Sequence, residues 1–97
     1  MIISTWNVNS IKVRLPNVLQ YLSQYNPDVL VLQETKSIDE NFPEAAISEA
    51  GYYSSFCGQK TYNGVAILSK DKPSEIIKNP VFLDKGEMRS LYIKYNG

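Results

Sequence analysis

An α/β fold is predicted by three features of this sequence. Ile2–Trp6 is short, apolar and β-prone; Val18, Leu19, Leu22 and Tyr25 recur at helical spacing; and Asp28–Gln33 carries an unbroken apolar run. Strand, helix and buried strand in that order make a βαβ unit, whose crossover is right-handed in nearly all known cases.

The elements follow in order. Asn7-Val8-Asn9-Ser10 reads as a turn-rich exit from the first strand. Pro16 suits a first helical position, and the apolar spacing after it marks one buried face. Asn26-Pro27 ends that helix, because the residue before a proline is pushed away from helical geometry. The run in Asp28–Gln33 is that of a strand buried on both faces. Glu34 to Glu40 reads as a polar loop. Asn41-Phe42-Pro43-Glu44 opens a short helix to about Ala50, with Gly51 at its C-terminal cap. Strands are expected at Tyr52–Cys57, Val65–Leu68, Glu75–Lys78 and Ser90–Lys94, the last two joined by a loop containing Asp84-Lys85-Gly86-Glu87. The terminal Asn96-Gly97 is a hairpin signal. Its partner strand would lie further on, so residues 1–97 are expected to be the N-terminal portion of a single, larger domain; a frayed terminus that happens to end in Asn-Gly is the other reading.

Composition narrows the chemistry. The chain has 97 residues, 43% hydrophobic and 21% charged, enough for one thin core that buries about two-thirds of the unfolded surface. Ten basic residues balance ten acidic ones, so net charge gives no nucleic-acid signal. The lone Cys57 excludes an internal disulfide, fits a reducing, cytoplasmic setting, and reads as a small buried hydrophobe. No signal peptide is visible, and no apolar run approaches the roughly 20 residues of a membrane helix. The sequence contains no His. Catalysis here must rest on carboxylates, amides and Tyr, or on residues outside this chain.

Three constellations carry possible chemistry. Asn7 and Glu34 each lie just past the carboxyl end of a strand in the βαβ unit, the edge where open α/β sheets place ligands. An amide oxygen and a carboxylate are hard donors suited to Mg²⁺. From spacing alone, a solvated glutamate after an apolar strand is the commoner explanation. Asn63-Gly64-Val65-Ala66-Ile67-Leu68-Ser69-Lys70 is a tight turn entering a core strand, with Lys12, Lys36, Lys60 and Tyr62 on nearby loops. Those side chains can meet phosphates and sugars, but scattered surface lysines are the commoner explanation and do not by themselves point to DNA. Met88-Arg89-Ser90 places an arginine at a strand entrance, as a phosphate clamp or an edge residue.

Taken together, Thr5-Trp6-Asn7-Val8-Asn9-Ser10, Pro27-Asp28-Val29, Leu32-Gln33-Glu34-Thr35-Lys36 and Asn63 through Lys70 resemble the exonuclease III / abasic-site endonuclease family in order and spacing, over essentially the whole chain. The resemblance implies a four-layer α/β sandwich of the endonuclease/exonuclease/phosphatase (DNase I-like) superfamily, of which this chain is the N-terminal part. It implies Mg²⁺- or Mn²⁺-dependent hydrolysis of DNA phosphodiesters, on double-stranded DNA with abasic or 3′-blocked sites, in base-excision repair. It also implies residue roles. Glu34 is the principal metal ligand and catalytic residue, with Asn7 beside it. Asn9 and Lys36 support the carboxylate. Lys12, Tyr62 and Arg89 approach the DNA backbone. Ser10 departs from the family pattern, which often has Gly there.

The family's downstream Asp, Tyr and Asn, and its terminal Asp-His pair, have no counterpart in these 97 residues. Each such group contributes about 10²–10⁴ in rate, so the isolated chain is expected to show negligible nuclease activity. Inositol-lipid phosphatases and sphingomyelinases share the Asn…Glu pair and form one rival reading; a non-catalytic fragment forms another. Half of a facing-sheet sandwich exposes an apolar face, so self-association of the chain is expected.

Overall fold

A computed structural model describes residues 1–59, 62–78 and 91–95. In chain order they form β1 (Ile3–Asn7), α1 (Ile11–Tyr25), β2 (Val29–Gln33), a 3₁₀ turn (Asp39–Asn41), α2 (Glu44–Glu49), β3 (Tyr53–Cys57), β4 (Val65–Ser69), β5 (Glu75–Lys78) and β6 (Leu91–Lys94). The loop at Asp84–Glu87, Lys60, Arg89, Ser90 and the Asn96-Gly97 turn lie outside the described residues.

The main sheet has the order β1-β2-β4-β3. β1 and β2 are parallel, as the βαβ reading requires, and β4 pairs antiparallel with both β2 and β3. Strand alternation sends Trp6, Leu30, Leu32, Phe56, Ala66 and Leu68 to one face. They meet Ile11, Val18 and Leu22 of α1, Phe42, and Ile47 of α2 in one core cluster. Leu30, Leu32 and Leu68 have no exposed surface, and burying such a side chain contributes about 1.5–3 kcal/mol. The two-stranded antiparallel sheet β5–β6 packs against β3 and β4. No helix among the described residues is long and apolar enough to cross a membrane.

Three sequence expectations are corrected. Pro16 is not at a first helical position: α1 begins at Ile11, and Pro16 lies inside it. The early start has a local cause. Ser10 Oγ accepts the Val13 N–H at 3.3 Å, Ser10 O accepts the Arg14 N–H at 3.1 Å, and Ile11 is fully buried. Pro16 costs the helix one backbone bond in its second turn, on an exposed face. Tyr25 is not on the buried face but 58% exposed. Its ring instead lies 4.9 Å from that of Tyr21, which in turn leans on Trp6 at 6.0 Å. The polar loop after β2 also differs from expectation: Thr35 and Ser37 are buried, and its end is the 3₁₀ turn.

The other boundaries follow local chemistry. Asn26 takes the left-handed conformation (φ 49°) and donates its N–H to Leu22 O at 3.0 Å, ending α1 ahead of Pro27. Gly51, at φ +91°, follows α2. Cys57 is buried, and desolvation raises its thiol pKa above the ordinary value, with the Asp39 carboxylate adding to the effect.

Candidate metal centre

Parallel pairing of β1 and β2 brings their carboxyl ends to one edge of the sheet. Antiparallel β4 enters from that edge, and β3 leaves at it. The register sets Asn7 beside Gln33, Gln33 beside Val65, and Val65 beside Cys57. Every loop issuing from this row can therefore meet its neighbours.

Segment 34–36 lies between two of them and is held from both sides. Ser10 N donates to Glu34 O and Ile11 N to Thr35 O, each at 2.9 Å. On the other flank Thr35 N donates to Gly64 O at 3.1 Å and Lys36 N to Asn63 O at 2.9 Å. Asn9, Ser10, Glu34, Lys36 and Asn63 all have positive φ, between 48° and 107°. Such residues cost of order 1–3 kcal/mol each and persist only where surrounding bonds over-determine them. Five of the six non-glycine residues with positive φ among the described residues lie at this one edge.

The side chains close a ring. Asn7 Nδ2 donates to Glu34 Oε2, and Asn7 Oδ1 accepts the Asn9 N–H at 3.1 Å. Asn9 Oδ1 accepts a bond from Lys36 Nζ, which lies 3.9 Å from Glu34 Oε1. The Glu34 side chain is 46% exposed, so the ion pair adds little stability in water. Its main effect is to orient the carboxylate.

The donor set fits a hard divalent cation. Glu34 offers an accessible carboxylate whose Oε1 lies 3.9 Å from Lys36 Nζ. Among the described residues no group of three or more His, Cys, Asp or Glu converges, so no tetrahedral or soft-metal cage is offered. A cation that keeps most of its waters needs one or two carboxylates only. As placed, Asn7 presents its N–H to Glu34. A half-turn of the amide exchanges nitrogen for oxygen and lets Asn7 share the ion; otherwise it acts by holding Glu34.

The remaining expected residues distribute around this ring. Lys12 and Lys36, with Ser10, Ser37, Ile38 and Asn41, line a groove of about 250 Å³. Tyr62 is 67% exposed and adjoins Asn63, whose carbonyl is bound by Lys36 N. Arg89 lies outside the described residues. Sequence reasoning missed Asp39, which accepts the Gly58 N–H at 2.7 Å and pairs with Lys78 at 2.9 Å. It also missed Thr35, a polar residue that is 1% exposed.

The family model described as Endonuclease/Exonuclease/phosphatase family matches residues 4–95. Exodeoxyribonuclease III of Haemophilus influenzae is 38% identical over 72 residues, which are 74% of this chain and 27% of that protein. Two solved structures each align with 96% of this chain and 37% of their own at a TM-score of 0.88. One is the 3′ phosphatase NExo from Neisseria bound to product DNA hairpin, at 43% identity. The other is an AP endonuclease from Archaeoglobus fulgidus, at 38% identity. The chain thus spans about a quarter to two-fifths of the length of these relatives.

Proposed function

Because this chain belongs to the endonuclease/exonuclease/phosphatase family, we propose that it supplies the cation-holding part of a Mg²⁺-dependent DNA-repair nuclease. Its substrate in this reading is duplex DNA with abasic or 3′-blocked sites. Residues 1–97 then form the N-terminal portion of one such domain, working in the cytoplasm, where the single thiol stays reduced. The observation that carries the reading is the ring of Asn7, Glu34, Asn9 and Lys36 at the carboxyl edge of two parallel strands.

When bound, the divalent cation neutralises charge building on the phosphodiester and polarises its phosphorus–oxygen bonds. The chain's own residues do the rest of this half of the work. Glu34 holds the cation through its accessible carboxylate, and Asn7 fixes that carboxylate's direction or shares the ion. Lys36, braced by Asn9, limits where the carboxylate can swing. Lys12, at the start of α1, and Tyr62, on the β3–β4 connection, meet the DNA backbone on either side; Arg89 is assigned the same role. The chain contains no histidine to act as general base, and among the described residues no group of three or more His, Cys, Asp or Glu side chains converges. In this reading the 97-residue chain alone turns over negligibly.

A graft tests the proposal. This chain replaces the matching segment of the Haemophilus influenzae relative, and the hybrid is assayed on abasic duplex DNA with Mg²⁺. Incision that falls by about 10²–10⁴ on Glu34→Gln supports it. A folded hybrid that spares abasic DNA but hydrolyses a phosphoinositide refutes it.

A second proposal concerns the chain's own surface. Ile76, Ile77 and Tyr92 of β5–β6 are 47%, 42% and 43% exposed on one small sheet. We infer that the isolated chain self-associates through it. Light scattering after size exclusion reads this directly, and a stable monomer at high concentration contradicts it.

A further inference from the structure

We propose that Gly64 is a positioning residue for the Glu34 carboxylate, acting through Thr35. The inference rests on the reading of Glu34 as the cation ligand.

Gly64 sits at φ +90°, just before β4. A Cβ built there collides with Thr35 Oγ1 and also comes within 3.3 Å of Lys36 N and 3.5 Å of Thr35 Cβ. Thr35 has little freedom to yield. It is 1% exposed, its side chain is short and β-branched, and its backbone is bonded on both flanks, to Gly64 O and from Ile11 N. Glu34 and Lys36, on either side of it, are both left-handed at φ 53°. A residue clamped between two such neighbours sets the direction of both side chains. Displacing Thr35 by a few tenths of an ångström therefore rotates Glu34 and Lys36 together, and the ring to Asn7 and Asn9 opens.

The neighbouring loop end has the same construction. A Cβ at Gly58 collides with Ser37 O, while Gly58 N bonds Asp39 Oδ1 at 2.7 Å. The segment that carries the carboxylate thus lies directly on the backbone at both ends of the β3–β4 connection. Side chains at those two positions would lift it away. Gly64 is the nearer of the two to Glu34, and the one that touches the residue next to it.

The test measures Mn²⁺ affinity of the 97-residue chain from water-proton relaxation, with unfolding temperature recorded in parallel. Parent and Glu34→Ala come first. If Glu34→Ala leaves Mn²⁺ binding unchanged, the ligand reading itself fails, and this inference with it. If it abolishes binding, Gly64→Ala is expected to weaken Mn²⁺ affinity at least tenfold, and Thr35→Ala less than threefold. Alanine at φ +90° is strained in both Gly64 variants, so that cost is common to them; in Thr35→Ala/Gly64→Ala the colliding Oγ1 is gone, and affinity should return to within about threefold of the parent. A purely structural role would lower the unfolding temperature of both Gly64 variants without that recovery. Parent-like Mn²⁺ affinity in Gly64→Ala overturns the proposal. So does a double variant no better than Gly64→Ala. Should Gly64→Ala fail to fold, the double variant must still fold and bind, and its failure to do either overturns the proposal as well.

Discussion

Asn7 Nδ2 donates to Glu34 Oε2 across 27 positions of sequence, while the same amide's Oδ1 holds the Asn9 N–H. The asparagine thus ties the end of β1 both to its own loop and to the carboxylate beyond β2. Asn7→Asp replaces the donor by a second carboxylate facing the first. Like charges in contact oppose folding, so the metal-free variant should melt several degrees below the parent. Mn²⁺ should then raise its melting temperature by more than it raises the parent's, because the pair now bears two negative charges. Melting curves with and without Mn²⁺ check both signs.

Ser10→Gly should stabilise the chain. Ser10 sits at φ 107°, ψ 109°, a region that suits only glycine. Relieving it gains roughly 1–2 kcal/mol. Loss of the 3.3 Å cap to Val13 N returns a few tenths of that. The net gain should raise the melting temperature by about 4–8 °C per kcal/mol in a domain of this size. An unchanged or lowered value would mean that the cap outweighs the strain.

Leu32→Ala removes a fully buried side chain at the centre of the helix-facing layer, between Trp6 on β1 and Ala66 on β4. A loss of about 2–5 kcal/mol is expected in chemical denaturation. Thr5→Ala, by contrast, loses only the 2.7 Å bond from Gln33 Nε2 at an exposed position, and should cost about 1 kcal/mol or less.

At the opposite end of the parallel pair, Ile2 N donates to Asp28 Oδ2 at 2.7 Å, and Asp28 N returns a bond to Ile2 O at 2.9 Å. The bond from Ile2 is the main reason the Asp28 pKa falls below its ordinary 3.8 in the folded chain; Lys70 and the amino terminus add to it. A depressed carboxylate contributes stability that is present above the unfolded value and lost as pH falls through the folded one. The parent's melting temperature should therefore drop as pH is taken below 3.8. Asp28→Asn should melt lower at neutral pH and show a shallower acid limb. Equal acid limbs would remove Asp28 from the account.

Much of this site is legible in the sequence, for a physical reason. A βαβ unit has one topology, so residues just past the ends of its two strands, Asn7 and Glu34, must emerge together once the strands are known to be neighbours. What the sequence does not display is the insertion of β4 beside β2. That pairing arises from the β3–β4 excursion folding back, and it alone brings Gly64 and Asn63 against Thr35 and Lys36. The buried threonine was hidden for the same reason: a polar residue in a polar stretch carries no sign of burial until its lid is in place. Pro16 misled because its fixed φ suits a helix start, whereas Ser10 and buried Ile11 had already begun the helix one and a half turns earlier. Tyr25 fell on the right helical period but at the last residue of α1, where the ring reaches Tyr21 instead of the core.

The most direct measurement is paramagnetic broadening of amide signals by Mn²⁺ in the 97-residue chain. Substoichiometric Mn²⁺ should broaden the Asn7 side-chain amide and the backbone amides of residues 8–10 and 34–36 first. Glu34→Ala should abolish this broadening while leaving the rest of the spectrum intact. Broadening centred elsewhere, or undiminished in Glu34→Ala, would contradict a cation held between positions 7 and 34.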